Sequence, residues 1–208
     1  MNILFYTIIY SIQSKFDFEK YIEWGKNIIN YVQNYKLIIF TNKDCFPDHN
    51  ISYKLILLWI ERHLLVEKIK NKYKSDFYCY IDWGYIREKI DPIKIKEFDL
   101  DENKIHWGLV TAVTYSTSSS DIRLKKNIND IIINQKIEKY QPIFGGGFSI
   151  IPHKMVDDFL EIYKHSLNYI LDNQILFKDD QTIIAYTIIN NLNKFKLIYK
   201  EKYNIEWF

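Results

Sequence analysis

Short, strongly apolar segments alternate with longer amphipathic segments along the chain. The apolar segments are rich in β-branched and aromatic residues, which is typical of strands buried on both faces of a parallel sheet. The segments predicted to be strands are NILFYTIIY (2–10), KLIIFTN (36–42), DFYCYID (76–82), IHWGLVTAV (105–113), PIFGGGFSII (142–151) and FKLIYK (195–200). A further segment, ISYKLIL (51–57), could add a strand.

Between these strands, apolar residues recur at the three- and four-residue spacing of a helix face. The predicted helices are 18–35, with Asp17 as a candidate N-cap, 58–73, 152–173, opened by Pro152, and 178–192. Because strands and helices alternate, we expect a single α/β domain over 1–208, with a mostly parallel central sheet flanked by helices. Ligands of such domains bind at the carboxyl ends of the strands.

Charge and composition exclude several classes of protein. The 208 residues carry a formal net charge of +2, which is too near balance for a nucleic-acid-binding surface. No run approaches the roughly 20 apolar residues that span a bilayer, and the apolar N-terminus lacks the basic start and cleavage site of a leader. Cys45 and Cys79 form no disulfide framework and lack metal-ligand spacing. We therefore expect a soluble, cytoplasmic protein.

Three local features could carry chemistry, and the first is DWGYIR (82–87), where a buried strand ends at a lone carboxylate. Asp82 could bind a divalent cation through its oxygen atoms. Gly84 would let the backbone approach a ligand closely, with Arg87 nearby. An aspartate that caps the turn after a strand explains the pattern equally well.

The other two features are FGGGF (144–148) and KDDQT (178–182). Three glycines inside a strand pattern indicate a bulge or a close backbone approach, and a simple turn is the alternative. Asp179 and Asp180 precede a helix, whose N-terminus favours carboxylates, so capping is the simpler explanation. The functional explanation is a carboxylate that contacts a sugar hydroxyl or acts as a base.

Several common catalytic signatures do not occur in the sequence. There is no P-loop, no GxGxxG after the first strand, no HExxH and no GxSxG. Kinases, dinucleotide-dependent enzymes and serine hydrolases therefore lack their motifs here.

The order of four features along the chain resembles that of glycosyltransferases of the GT-A type. These features are an N-terminal strand, YIDWGYIR, GGGF and DDQ. More narrowly, they resemble the YibB/HtrL-like proteins of bacteria and large DNA viruses. Those proteins carry a W-I-D-x-G-like segment followed by an Arg, then GGF, then D-[DE]-Q. The resemblance covers most of the chain.

The resemblance implies an enzyme that moves a sugar from a nucleotide sugar, a UDP-hexose, to a glycan or a protein-linked glycan. Residues 1–90 would bind the nucleotide, with the base and ribose near Thr7 and Tyr10, and 91–208 would form the sugar and acceptor side. Asp82 would hold Mn²⁺ or Mg²⁺, which stabilises the diphosphate as it leaves. The other residues implied in donor binding are Gly84, Arg87, Gly145, Gly146 and Gly147. The residues implied in contacting the sugar or activating the acceptor are Asp180 and Asp179.

This chain departs from the general GT-A pattern, because a DxD motif has two carboxylates and only Asp82 is present here. Tyr80 and Gly84 occupy the positions where a second carboxylate would stand. Two other functions stay open: a non-catalytic nucleotide-sugar or glycan-binding domain with a degenerate site, and a metal-dependent phosphoesterase that uses Asp82 and Asp180.

The polar segment 114–130 is long for a connection within a compact domain, which is typical of functional or mobile loops. We expect it to be mobile without donor and to become ordered when the donor binds. Arg123, Lys125 or Lys126 could then reach the diphosphate.

Overall fold

A computed structural model of the chain describes residues 1–10, 17–42, 51–84, 86–87, 89, 91–111, 142–174 and 180–199. Six strands and four α-helices lie within these ranges. In chain order they are β1 (Ile3–Tyr10), α1 (Phe18–Tyr31), β2 (Lys36–Asn42), α2 (Ile51–Lys72), β3 (Phe77–Ile81), β4 (Ile105–Thr111), β5 (Pro142–Pro152), α3 (Val156–Asp172), α4 (Gln181–Ile189) and β6 (Phe195–Tyr199). Short 3₁₀ turns occupy Ile95–Glu97, His153–Met155 and Leu192–Lys194.

The strands form one sheet in the order β2-β1-β3-β5-β4-β6. Strand β1 pairs in parallel with β2 and β3, and β4 pairs in parallel with β6. Strand β5 is antiparallel to both of its neighbours, so the other five strands share one direction. The sheet therefore confirms the predicted α/β class and its mostly parallel arrangement.

Both faces of the sheet are covered, as the apolar strand sequences predict. Successive side chains of a strand point to opposite faces. Tyr78 and Tyr80 of β3 accordingly pack with α2, α3 and α4 in one cluster. Phe77, Cys79 and Ile81 pack with α1 in the other. Helices α1 and α2 therefore lie on opposite faces of the sheet.

Two predicted boundaries are wrong. The segment 51–57 is not a strand, because α2 begins at Ile51. Its run of apolar residues fits both periods, and such short runs do not distinguish a strand from a helix. Pro152 is not the first residue of α3: it ends β5, where it pairs with Phe77, and stands at the N-cap of the 3₁₀ turn His153–Met155 that leads into that helix. A proline is tolerated at that position because a strand end does not require its missing N–H.

Three further expectations concern the segment 114–130, the two cysteines and membrane-spanning helices. Segment 114–130, with Arg123, Lys125 and Lys126, lies outside the described residues, and so does Cys45. Cys79 is a buried free thiol, and burial raises its pKa well above the usual value. Within the described ranges, none of the helices combines the length and the apolarity needed to cross a membrane.

Candidate functional site

A cleft with a volume of about 260 Å³ opens at the carboxyl end of β3. It straddles the end of the sheet, because one wall comes from α1 and the other from α2, on opposite faces. Its lining consists of aromatic side chains, glycine backbone, two arginines, two aspartates and one glutamine. These residues are Tyr21, Trp24, Trp59, Arg62, Asp82, Gly84, Arg87, Gly146, Gly147, Asp180 and Gln181.

Asp82 follows the last residue of β3 and uses its two carboxylate oxygens differently. Oδ1 accepts the backbone N–H of Gly84 at 2.9 Å, so the aspartate does close the turn after the strand. Oδ2 accepts a hydrogen bond from Arg62 at 2.6 Å. The side chain is 34% exposed and faces the cleft. The turn cap is therefore confirmed, and the same carboxylate lies at the cleft, where its role as a cation ligand stays a prediction.

Arg62 of α2 lies between two carboxylates that are far apart in the sequence. Its Nη1 donates to Asp82, and its Nη2 donates to Asp180. Nη1 also lies 3.5 Å from the hydroxyl of Tyr80. The side chains of Arg62 and Asp180 are 6% and 5% exposed, so this ion pair is buried. Asp180 stands at the N-cap position of α4, yet its side chain makes no capping hydrogen bond there.

His63 is the second partner of Asp180. Its Nε2 lies 2.9 Å from Asp180 Oδ2 and 3.4 Å from Arg62 Nε. One ring nitrogen cannot both donate to the carboxylate and accept from the guanidinium. The shorter contact indicates that Nε2 carries the proton and donates it to Asp180. Nδ1 is then an acceptor, and it is buried without a partner in the described part of the chain.

The charges of this cluster stabilise one another. Burial alone would raise the pKa of Asp180, but Arg62 and the hydrogen bond from His63 outweigh it and hold that pKa below its usual value. Burial alone would lower the pKa of Arg62, and the charges of Asp180 and Asp82 outweigh it, so Arg62 is always protonated. Burial lowers the pKa of His63 and keeps its ring neutral. Asp180 is therefore ionised and a weak base.

The glycine segment lies inside β5, and it forms neither a turn nor a regular ladder. The pairing of β4 with β5 passes from Trp107–Ser149 to Leu109–Phe144, so residues 145–148 stand opposite the single residue 108. This irregularity brings the backbone against the cluster. A Cβ atom at Gly146 would overlap Arg62 Nη2 and lie 2.8 Å from Asp180 Oδ2. The predicted bulge and the predicted close approach both occur here.

On the α1 side of the cleft, aromatic side chains of the helix lie beside Arg87, an exposed cation from the segment after β3. The guanidinium of Arg87 lies 5.0 Å from the ring centre of Trp24, and Trp24 meets Tyr21 edge-on at 5.2 Å. Tyr21 also packs close to the Gly84 backbone, beside Asp82. Stacking on Trp24 restrains the planar head of Arg87 at the rim of the cleft.

The cleft brings together most of the residues predicted to form the site. Six of them line it: Asp82, Gly84, Arg87, Gly146, Gly147 and Asp180. The lining does not include Gly145, whose carbonyl accepts from Trp107 Nε1 at 2.8 Å, or Thr7, which is buried in β1. The side chain of Tyr10 and all of Asp179 lie outside the described residues.

Sequence reasoning missed Arg62, His63 and the aromatic residues Trp24 and Trp59. A signal for Arg62 exists in α2, where Leu65, Val66 and Ile69 are core residues. Arg62 precedes them at the spacing of the same helix face, so a charged residue stands on the buried side of the helix. Such a residue requires a buried partner of opposite charge.

No family model matches the chain, and no curated protein is significantly similar to it in sequence. A solved structure with a similar fold is described as a glycosyltransferase involved in the glycosylation of the major capsid of PBCV-1. The match has a TM-score of 0.56 and covers 96% of this chain and 82% of that protein, at 11% identity. At this identity the likeness concerns the fold, and the resemblance to YibB/HtrL-like proteins stays a prediction.

Proposed function

We propose that the protein is a glycosyltransferase that moves a sugar from a nucleotide sugar, a UDP-hexose, to a glycan acceptor. The observation that carries the proposal is the position of Asp82. A partly exposed carboxylate lies at the carboxyl end of a central strand, in a cleft that also presents an exposed arginine and aromatic faces. The fold shared with a glycosyltransferase supports the same assignment.

Asp82 fits a divalent cation that is shared with the substrate. Mg²⁺ in proteins is commonly held by one or two carboxylates together with substrate phosphates and water. Oδ1 of Asp82 accepts a hydrogen bond from the backbone N–H of Gly84, and the side chain reaches the cleft. The described residues contain no group of three metal-binding side chains, so the diphosphate would complete the shell. Mn²⁺ or Mg²⁺ there would stabilise the negative charge of the leaving nucleoside diphosphate.

The residues of the α1 wall have a role in the same proposal. Arg87 would contact the diphosphate, because a guanidinium pairs with phosphate oxygens through two parallel hydrogen bonds. Trp24 restrains that guanidinium, so less conformational freedom is lost on binding. Trp59, on α2 one turn before Arg62, offers an aromatic face on the opposite wall for a sugar ring.

Titration calorimetry with UDP and MnCl₂ tests the proposal. Wild type should bind UDP in the presence of Mn²⁺, and Asp82→Asn, which keeps the shape but removes the charge, should bind far more weakly. Asp157→Asn is the matched control, because Asp157 forms an exposed ion pair with Lys70 away from the cleft. No binding by wild type, or undiminished binding by Asp82→Asn, would count against a donor site at Asp82.

A non-catalytic nucleotide-sugar-binding domain is the second candidate, and the state of Asp180 favours it. Among the described lining residues the carboxylates are Asp82 and Asp180, and Arg62 binds both. Arg62 and His63 hold the pKa of Asp180 below its usual value, so Asp180 is not a poised general base, which has a pKa near the working pH. Incubation with a panel of UDP-sugars separates the two functions, because slow release of free UDP occurs only if the protein breaks the glycosidic bond.

A further inference from the structure

We infer that Asp180 acts through Arg62 and not on the substrate: it supplies a counter-charge to the buried guanidinium, so that the negative charge of Asp82 stays available to the cation that accompanies the donor. Asp180 is thus a positioning residue for the donor site. This inference rests on the proposed function, because it assigns Asp82 to donor binding.

The geometry of Arg62 joins the two aspartates through different nitrogen atoms. Nη1 donates to Asp82 and Nη2 to Asp180, so the planar guanidinium fixes the two carboxylates relative to each other. Asp180 is 4% exposed, and the Gly146 backbone closes over it. Little of Asp180 is left for a sugar hydroxyl or an acceptor to contact.

The charges give Asp180 its function. One guanidinium, Arg62, donates to two carboxylates, Asp82 and Asp180, so these three groups carry a formal net charge of −1. Without Asp180, the charge of Arg62 would be balanced by Asp82 alone, and the net charge would be zero. A cation approaching Asp82 would then meet an uncompensated guanidinium beside it. Because like charges repel at short range, this guanidinium would oppose binding of the cation.

His63 and Gly146 keep Asp180 available to Arg62. The Nε2–H of His63 donates to the same oxygen, Oδ2, that accepts from Arg62. Gly146 lacks the Cβ atom that would overlap the pair. The ion pair therefore has a closely fitted environment, as expected of a fixed counter-charge.

A charge-rescue experiment separates this role from direct catalysis. The variants are Asp180→Asn, the double variant Arg62→Gln/Asp180→Asn, the Asp82→Asn variant and the control Asp157→Asn. UDP binding with MnCl₂ is measured by calorimetry, and folding by thermal melting. Asp180→Asn should weaken binding at least about tenfold. The double variant removes the guanidinium as well, and it should bind at least about fivefold more tightly than Asp180→Asn.

The outcomes distinguish this inference from the proposed function. A residue that contacts the sugar or acts as a base gives no reason for a second substitution to restore UDP binding. Equal binding by wild type and Asp180→Asn, or a double variant no tighter than the single one, overturns the inference and leaves the proposed function standing. Absence of UDP binding by wild type overturns the proposed function first, and the inference with it.

The double variant also tests the inference if Asp180→Asn fails to fold. That variant leaves a buried guanidinium with a weakened set of partners, whereas removing a buried pair together is often tolerated. If Asp180→Asn does not fold, the double variant decides. Binding within about tenfold of wild type supports the counter-charge role. Binding as weak as that of Asp82→Asn overturns it.

Discussion

Arg62 donates a hydrogen bond to Asp82 at 2.6 Å, although one residue lies in the middle of α2 and the other at the end of β3. Helix α2 packs on one face of the sheet, so its buried side can reach the edge where β3 ends. The contact holds the Asp82 carboxylate in place while part of it stays open to the cleft. A site whose charged groups are held in advance loses less freedom when a ligand binds.

Gly146→Ala tests the close packing of this cluster. The added Cβ would overlap Arg62 Nη2 and crowd Asp180 Oδ2, and both of these side chains are buried. We expect the free energy of unfolding to fall by about 1–3 kcal/mol, as is usual for overpacking. UDP binding with Mn²⁺ should weaken in parallel. Urea denaturation and calorimetry measure the two effects.

Gly84→Ala is the control for that substitution. Its Cβ would lie 3.1 Å from a ring carbon of Tyr21, a partly exposed side chain that can move by a few tenths of an ångström. The loss of stability should therefore be smaller than for Gly146→Ala. Equal losses for the two variants would contradict a special constraint at Gly146.

Arg87→Ala tests the proposed contact with the diphosphate. Hydrogen bonds to charged groups contribute about 1.5–3 kcal/mol, so UDP binding should weaken about tenfold to a hundredfold. Arg87→Lys should lie between, because an ammonium keeps the charge but loses the two-pronged geometry and the stacking on Trp24. Lys89→Ala, which removes an exposed cation two residues away, is the control. An equal effect in that control would indicate a general effect of net charge.

The sequence predicts most of the fold because local pattern and burial agree along this chain. The strands are short, consist mostly of apolar residues and alternate with amphipathic helices. This alternation is enough to predict the α/β class. The order of the strands does not follow, because β5 inserts between β3 and β4 with reversed direction. That insertion is a long-range pairing, and the sequence between residues 105 and 152 contains no local signal for it.

The sequence predicts the carboxylates of the candidate site but not Arg62, the residue that binds both of them. Asp82, Gly146 and Asp180 stand out locally, as the end of a strand, a glycine run and the start of a helix. Arg62 lies in a helix with a lysine-rich end, where a charged residue ordinarily faces water. Only the fold brings it within reach of residues 20 and 118 positions away.

Gly25→Ala has two opposing effects on stability, a gain in helix propensity and a loss of packing. Alanine is favoured over glycine by about 1 kcal/mol inside a helix, and Gly25 lies within α1. Its Cβ, however, would overlap the ring of Trp83. Trp83 is buried, and its Nε1 donates to the Tyr21 carbonyl at 2.7 Å, so it cannot move away without losing that bond.

We therefore expect Gly25→Ala to lower the free energy of unfolding by about 1–3 kcal/mol in spite of its helix propensity. Urea denaturation measures the change. Lys26→Ala is the control, since Lys26 is exposed on the same helix and its substitution should be nearly neutral. A stabilised Gly25→Ala variant would show that Trp83 does not constrain α1 in this way.

We expect the free energy of unfolding to fall in mild acid because His63 is buried. Burial holds its pKa below 6.5, so the unfolded chain binds the proton more readily and stability falls as pH drops below about 6.5. The slope is at most about 1.4 kcal/mol per pH unit for one group. Buried His106, whose pKa is also lowered, adds to it, whereas Asp180 loses its contribution only nearer pH 4. His63→Gln, which can still donate to Asp180, should flatten the decline between pH 6.5 and about 5.5 in urea titrations. An unchanged slope would mean that His63 is not held neutral.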